Sequence, residues 1–266
     1  MVLTLAEESR LIIFGSRRTM AAMSQLILQL VTPPKFTFDN LVVHEGIEQA
    51  FHAIQRVYGT GEPPLPPVFL HGVQGTGKTH ILRALASFLS ERFCGGTRGV
   101  AFVHAVGDPP SFPEMAKLVE DEQQELRSLF GVLVDDVHLV RGEDSGHLWN
   151  LCNKLTRSGA ALVMASLAPP EEIFRDDPHL SSRIASGLVF RLDPPPDQVR
   201  ILILDKMARD MNLRVSHDIS NYLVTRKSRN IKELNKVLAV LDRASLEQKR
   251  RITLPLIKQL EREGLI

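Results

Sequence analysis

Four short runs of the chain are apolar at nearly every position: Val68-Phe69-Leu70, Val100 to Ala105, Gly131-Val132-Leu133-Val134 and Ala160 to Ala165. Runs this short and continuous, bounded by Gly, Pro, Ser or Asp, read as strands buried on both faces. Between them the apolar positions change period. Ile81, Leu82, Leu85, Phe88 and Leu89 recur at helical spacing and predict a helix from His80 to Phe93. Further helices are expected over Glu45 to Val57, Glu114 to Leu129 and Ser145 to Arg157, and a last strand over Leu188 to Leu192. Strands alternating with helices predict an α/β fold with a parallel sheet and crossover helices. After Asp193-Pro194-Pro195-Pro196 the strand runs cease, and Asp197 to Met211, Ser216 to Arg226, Arg229 to Leu246 and a helix from Thr253 toward Glu263 follow. The triple proline is the natural joint. The division expected is therefore a flexible N-terminal segment over 1–35, an α/β domain over 36–193 and a small helical domain over 194–266.

The N-terminal part carries less pattern. Met1 to Ala22 shows no periodicity, and Met20 and Met23 are alternative starts. Gln25-Leu26-Ile27-Leu28-Gln29-Leu30 alternates apolar residues after a glutamine, ahead of the stiff pair Pro33-Pro34. Two readings fit this stretch: a terminal strand or short helix face, or a linear peptide that docks its leucines in a partner's groove.

Composition narrows the class. The 266 residues carry a formal net charge of +1, so a broad basic surface for coating nucleic acid is not implied. The two cysteines, Cys94 and Cys152, stand far apart and outside any metal-ligand spacing. They read as core fillers in a reduced, cytoplasmic protein. No apolar run approaches membrane-spanning length.

The chemistry concentrates after the first strand. Gly72-Val73-Gln74-Gly75-Thr76-Gly77-Lys78-Thr79 fits the phosphate loop G-x-x-x-x-G-K-[ST], set between a strand and a helix as that motif requires. The glycines allow a tight turn whose N–H groups face phosphate oxygens, Lys78 is placed for the β- and γ-phosphates, and Thr79 for Mg²⁺. Asp135 and Asp136 end the third apolar run. Asp135 is the expected metal-side acid, and Asp136 the acid that orients or activates a water. Ser166 ends the next strand beside them; it is a candidate for hydrogen bonding the γ-phosphate or the water, or an ordinary strand-end serine. Arg183, in Leu180-Ser181-Ser182-Arg183-Ile184, is either a surface arginine or a cation for a neighbouring molecule's phosphate. Lys232, early in a helix of the second domain, is either a solvated cation or one that closes on the nucleotide.

Taken together, these residues resemble the AAA+ ATPases, and within them the bacterial replication initiator DnaA and its short relatives of the Hda type. Phe36-Thr37-Phe38-Asp39-Asn40 with Val42-Val43 is similar to the family's linker that covers the adenine, which implies nucleotide contacts for Phe38 and Val42. Gly72 to His80 resembles its Walker A motif, implying that Gly72, Gln74, Gly75, Thr76, Gly77, Lys78, Thr79 and His80 hold ATP or ADP with Mg²⁺. Asp135-Asp136-Val137-His138 resembles Walker B, Pro169-Pro170-Glu171-Glu172-Ile173 the neighbourhood of sensor 1, Ser182-Arg183-Ile184 the arginine-finger stretch, and Arg229 to Leu234 the sensor 2 helix. The implied architecture is a parallel-sheet phosphate-loop core with a C-terminal helical lid. The resemblance also favours the peptide reading of Gln25, Leu26, Leu28 and Leu30, since Hda-type proteins carry a Gln-Leu-x-Leu segment there that docks on the DNA polymerase sliding clamp. The partners implied are the initiator, the clamp and other copies of the chain; a sequence-specific DNA reader is not expected. Two positions depart from the family: Lys232 replaces an arginine, losing its planar fork, and Leu167 stands where the initiator often has an acid. The implied activity is regulation of replication initiation, with Arg183 promoting hydrolysis of initiator-bound ATP. A nucleotide-dependent adaptor and a helicase-loading or DNA-binding factor are the alternatives.

Overall fold

The computed structural model describes residues 12–15, 36–62, 65–93, 99–105 and 129–266. In chain order its elements are β1 (Ile12–Gly15), α1 (Glu45–Tyr58), β2 (Val68–His71), α2 (Lys78–Phe93), β3 (Gly99–His104), β4 (Leu129–Asp135), α3 (Glu143–Ser158), β5 (Ala161–Ser166), α4 (Pro170–Ile173), α5 (Pro178–Ala185) and β6 (Leu188–Arg191). Four helices follow: α6 (Asp197–Asp210), α7 (His217–Arg226), α8 (Ile231–Gln248) and α9 (Leu254–Arg262).

The sheet order is β1-β3-β4-β5-β2-β6. All pairings from β3 to β6 are parallel. The continuous apolar runs follow from cover on both faces. Ala101, Val103, Val132, Val134, Leu162 and Met164 face a layer containing Leu148, Leu151, Leu155, Leu180 and Ile184 of α3 and α5. Val100, Phe102, Leu133, Val163 and Ala165 face the other layer, with Ile47, Ile54, Ile81, Leu85 and Leu89 of α1 and α2. Alternation by single residues assigns each side chain to one layer, as the pleat requires.

Three expectations need correction. The leader is not wholly without structure: Ile12–Gly15 pairs antiparallel with β3, closing an otherwise open sheet edge. Four residues are too few for periodicity to reveal such a strand. Leu129, read as the end of a helix, opens β4 instead. Asp136 lies just past β4, in the left-handed region at φ 56° and ψ 35°. The helix expected from Glu114 lies outside the described residues as far as position 128, as does Cys94.

The first unit ends at Asp193 and a second spans Pro194–Ile266. The second has its own apolar centre, in which Leu204, Leu223, Leu234, Leu238, Leu241, Ile257 and Leu260 are buried. Asn230 starts α8 by accepting from the N–H groups of Lys232 (2.9 Å) and Glu233 (3.4 Å). Thr253 holds the N-cap position of α9, with Pro255 in the first turn, but its hydroxyl makes no cap bond. Among the described residues no helix is long and apolar enough to cross a membrane.

Candidate functional site

β2 lies between β5 and the edge strand β6, so the loop that leaves its carboxyl end sits at the carboxyl edge of the sheet beside the end of β5. Gly75 and Gly77 have φ of +85° and +94°, a backbone that L side chains rarely adopt. A Cβ on Gly72 would meet the carbonyl oxygen of Leu192 at 2.2 Å, so that glycine is required by close approach. The loop feeds into α2, whose first N–H groups have no partner within the helix and give that end a partial positive charge. Lys78 is 6% exposed. Its ammonium donates to the carbonyls of Gly72 (2.6 Å) and Val73 (2.9 Å) and to Thr76 Oγ1 (3.3 Å). Burial lowers its pKa, opposed by Asp135 and Asp136. A desolvated cation, a helix N-terminus and a glycine turn share one loop, a donor set that suits a phosphate chain. Gln74 sits exposed in the same loop.

The hydroxyl and carboxyl groups meet at the start of α2 and the ends of β4 and β5. Thr79 Oγ1 donates to Asp135 Oδ2 at 2.7 Å. Asp135 is 1% exposed, and burial pushes its carboxyl up, partly offset by the Thr79 hydrogen bond. A hydroxyl whose proton is already taken by a carboxylate presents its oxygen lone pairs, so this pair fits an oxygen-preferring divalent cation such as Mg²⁺. The Asp136 N–H donates to Asp135 Oδ1 at 3.0 Å, which leaves the Asp136 carboxylate half-exposed on a strained backbone. His138 follows, its pKa lowered first by burial and raised by Asp136. Ser166 is fully buried; its carbonyl accepts from Gly72 N–H at 3.2 Å, while its Oγ accepts from Ala168 N–H at 3.2 Å.

His80 turns away from the phosphate side. Its Nε2 lies 3.1 Å from the carbonyl oxygen of Thr37 and 3.0 Å from Asn40 Oδ1. Both are acceptors, since Asn40 Oδ1 also receives the Thr37 N–H at 2.8 Å, so Nε2 carries the proton. Phe36 stacks edge-on against His80, with centroids 5.1 Å apart, and the Arg83 guanidinium lies over the same Phe36 ring at 5.0 Å. Phe38 packs edge-on against Phe51 and Phe88, and Val42 is half-buried. The segment 36–44 is thus strapped across the start of α1 and onto α2.

Residues 32–191 match the family described as "Bacterial DnaA ATPase domain". The chain belongs to that family. Residues 197–260 match "Hda, lid domain". The chain is 26% identical over 211 residues to the chromosomal replication initiator protein DnaA of Caldanaerobacter subterraneus subsp. tengcongensis, covering 77% of this chain and 47% of that protein. It therefore spans about half the length of that initiator. Domain III of the Thermotoga maritima DnaA superposes with a TM-score of 0.71 at 24% identity, covering 84% of this chain and 93% of that one. AMPPCP-bound DnaA from Aquifex aeolicus superposes at 0.66 with 22% identity, covering 86% and 70%. These structures share the AAA+ fold: a parallel phosphate-loop core with a helical lid.

Within the DnaA-family core, Gly72 to Thr79, Asp135, Asp136 and Ser166 are brought to one sheet edge. Phe38, Val42 and His80 belong to the adjoining strap. Arg183 is half-buried on α5, and its charge is felt by the Cys152 thiol of α3, which burial pushes up to about 12. Lys232 is exposed near the start of α8 in the second unit. Gln25, Leu26, Leu28 and Leu30 lie outside the described residues. Phe36 enters the sequence reading only as the first residue of the linker motif, and Arg83 and His104 carry no assignment there. A polar residue closing an apolar strand was the available signal for His104; nothing local marks Phe36 and Arg83 as partners.

Proposed function

We propose that this chain is a nucleotide-binding AAA+ regulator of replication initiation, which docks on the sliding clamp and promotes hydrolysis of ATP held by an initiator molecule. The observation that carries this reading is the joining of a DnaA-type ATPase core, residues 32–191, to an Hda-type lid, residues 197–260. The converging Lys78, Thr79 and Asp135 groups support ATP or ADP with Mg²⁺ as its ligands. Lys78 and the loop N–H groups would neutralise phosphate charge, Thr79 and Asp135 would hold the cation, and Asp136 would orient a water. Nucleotide with its metal supplies a hydrolysable phosphoanhydride when bound. The relative from Aquifex aeolicus carries AMPPCP, which agrees with this assignment. Phe38 and Val42, with His80, would bound the base from the strap side, and Ser166 would sense the γ-phosphate.

In this reading Arg183 acts on a phosphate bound by a neighbouring initiator, and Lys232 closes the lid on the chain's own nucleotide. Gln25, Leu26, Leu28 and Leu30 form the clamp-docking peptide. The deciding experiment measures initiator ATP hydrolysis with clamp loaded on DNA. Wild type should stimulate it; Arg183→Ala should fall to the unstimulated level while retaining nucleotide affinity. Fingers of this kind contribute about 10³–10⁵ in rate in other phosphate-loop systems. Full stimulation by Arg183→Ala would instead favour a nucleotide-dependent adaptor. Gln25→Ala with Leu28→Ala should abolish clamp binding in a pull-down without altering the fold.

A further inference from the structure

The end of β3 adds a nitrogen ligand to the acid pair. His104 lies directly beside Asp135 in the parallel β3–β4 register. The Ala105 N–H donates to the Asp135 carbonyl at 2.9 Å, which fixes the two strand ends together. One ligand atom each from His104, Asp135 and Asp136 lie within 4.8 Å of one another. The imidazole is braced edge-on by Phe102, with centroids 5.3 Å apart. Two ligands about 2.1 Å from one ion can stand up to about 4.2 Å apart, so gathering these three onto a cation asks only for small side-chain rotations. A carboxylate as deeply buried as Asp135, which is 1% exposed, is costly to leave without a countercharge.

The donor set decides which cation gains. Mg²⁺ is hard, prefers oxygen and keeps its waters, while an imidazole nitrogen suits metals further along the series from Mn²⁺ through Co²⁺. We propose that His104 is a metal-selecting residue: its imidazole enters the coordination of the cation held at Asp135, so the site favours Mn²⁺ or Co²⁺ over Mg²⁺ more than an all-oxygen phosphate-loop site does. This rests on the reading of Thr79 and Asp135 as the metal side of a nucleotide site. The other groups near this point are Thr79, Asp136, Lys78 and His138, and His138 is the only one of them that offers a second imidazole.

The test uses the full chain with Mn²⁺ alone and with Mn²⁺ plus ADP, read by electron spin-echo modulation on unlabelled and ¹⁵N-histidine-labelled protein. Expected is a histidine nitrogen coupling that changes isotope with the label, disappears in His104→Gln and persists in His138→Gln. By calorimetry, the preference for Mn²⁺ over Mg²⁺ should fall at least about tenfold in His104→Gln, the loss typical of weakening a metal site's support. No histidine coupling in wild-type protein overturns the proposal, and so does coupling that survives His104→Gln or vanishes only in His138→Gln. The wild-type labelled spectrum needs no variant, so misfolding of His104→Gln would not rescue it. ADP affinity measured without divalent metal separates the two readings. Absence of ADP binding removes the nucleotide assignment, whereas normal ADP binding without histidine coupling removes only the role of His104.

Discussion

Lys78 carries a charge into a place where charge is expensive. Its partners in this structure are two carbonyls and a hydroxyl, all weaker acceptors than a phosphate. Replacing them by phosphate oxygens makes charge-assisted bonds worth about 1.5–3 kcal/mol each. Lys78→Ala should therefore weaken ADP binding by about ten- to a hundredfold in titration calorimetry, and an unchanged affinity would remove the lysine from the phosphate site. His44 gives a second residue-scale outcome. Its Nδ1 accepts from the Gly46 N–H at 3.2 Å at the start of α1, which only the ring with Nδ1 unprotonated can do. Burial lowers its pKa from the ordinary 6.5, with Asp193 pulling the other way. Between the lowered value and 6.5 the unfolded chain holds more protons, so stability is full above about 6.5 and falls as pH drops through that window. His71 and His138 shift in the same direction through burial. Asp135, with its carboxyl raised, contributes the opposite slope. His44→Ser keeps a capping oxygen and removes one titration, so its melting temperature should depend less steeply on pH between 7.5 and 5.5 than that of wild type. At this scale the sequence was readable where chemistry is contiguous. Gly72 to Thr79 declares itself because eight neighbours must share one loop. His104 does not, because its relation to Asp135 exists only once β3 and β4 are in register.

Elements were legible to the extent that their period was uninterrupted. The runs that became β2, β4 and β5 are apolar on both pleat faces, and helices on both sides of the sheet explain why they must be. Ile12–Gly15 escaped because its partner is the backbone edge of β3, and a backbone edge has no side-chain signature. Asp136 reads as strand because its neighbour is; its left-handed backbone accompanies a bond from its N–H to Asp135 Oδ1, which no pattern of residue types encodes. Caps are the opposite case. Asn230 precedes an amphipathic stretch, and its side chain accepts from Lys232 N–H and Glu233 N–H. Asn230→Ala should cost about 1 kcal/mol of lid stability, measured by urea titration, while Thr253→Ala should cost less because that hydroxyl caps nothing. Equal losses at the two positions would show that the Asn230 bonds add nothing to α8.

Among the described residues there are three sets of apolar contacts, one on each face of the sheet and one in the lid. Damage to one set should be read locally. Leu238 is fully buried among lid residues alone, and Leu238→Ala should cost about 2–5 kcal/mol. Hydrogen exchange should accelerate through α6 to α9 while amides of β2, β4 and β5 keep their wild-type protection. Uniform acceleration across both units would show that they unfold as one. The joint between them was visible as Pro194-Pro195-Pro196, since three prolines end any regular element.

The strap at 36–40 is a path for force. Phe36 is gripped by His80 and Arg83, and Thr37 and Asn40 are bonded to the same His80. His80 follows directly on Lys78 and Thr79 in the first turn of α2. A displacement of Phe36 would therefore be felt at the first turn of α2. One histidine thus links the first described residues of the 36–40 segment to the helix that follows the glycine loop.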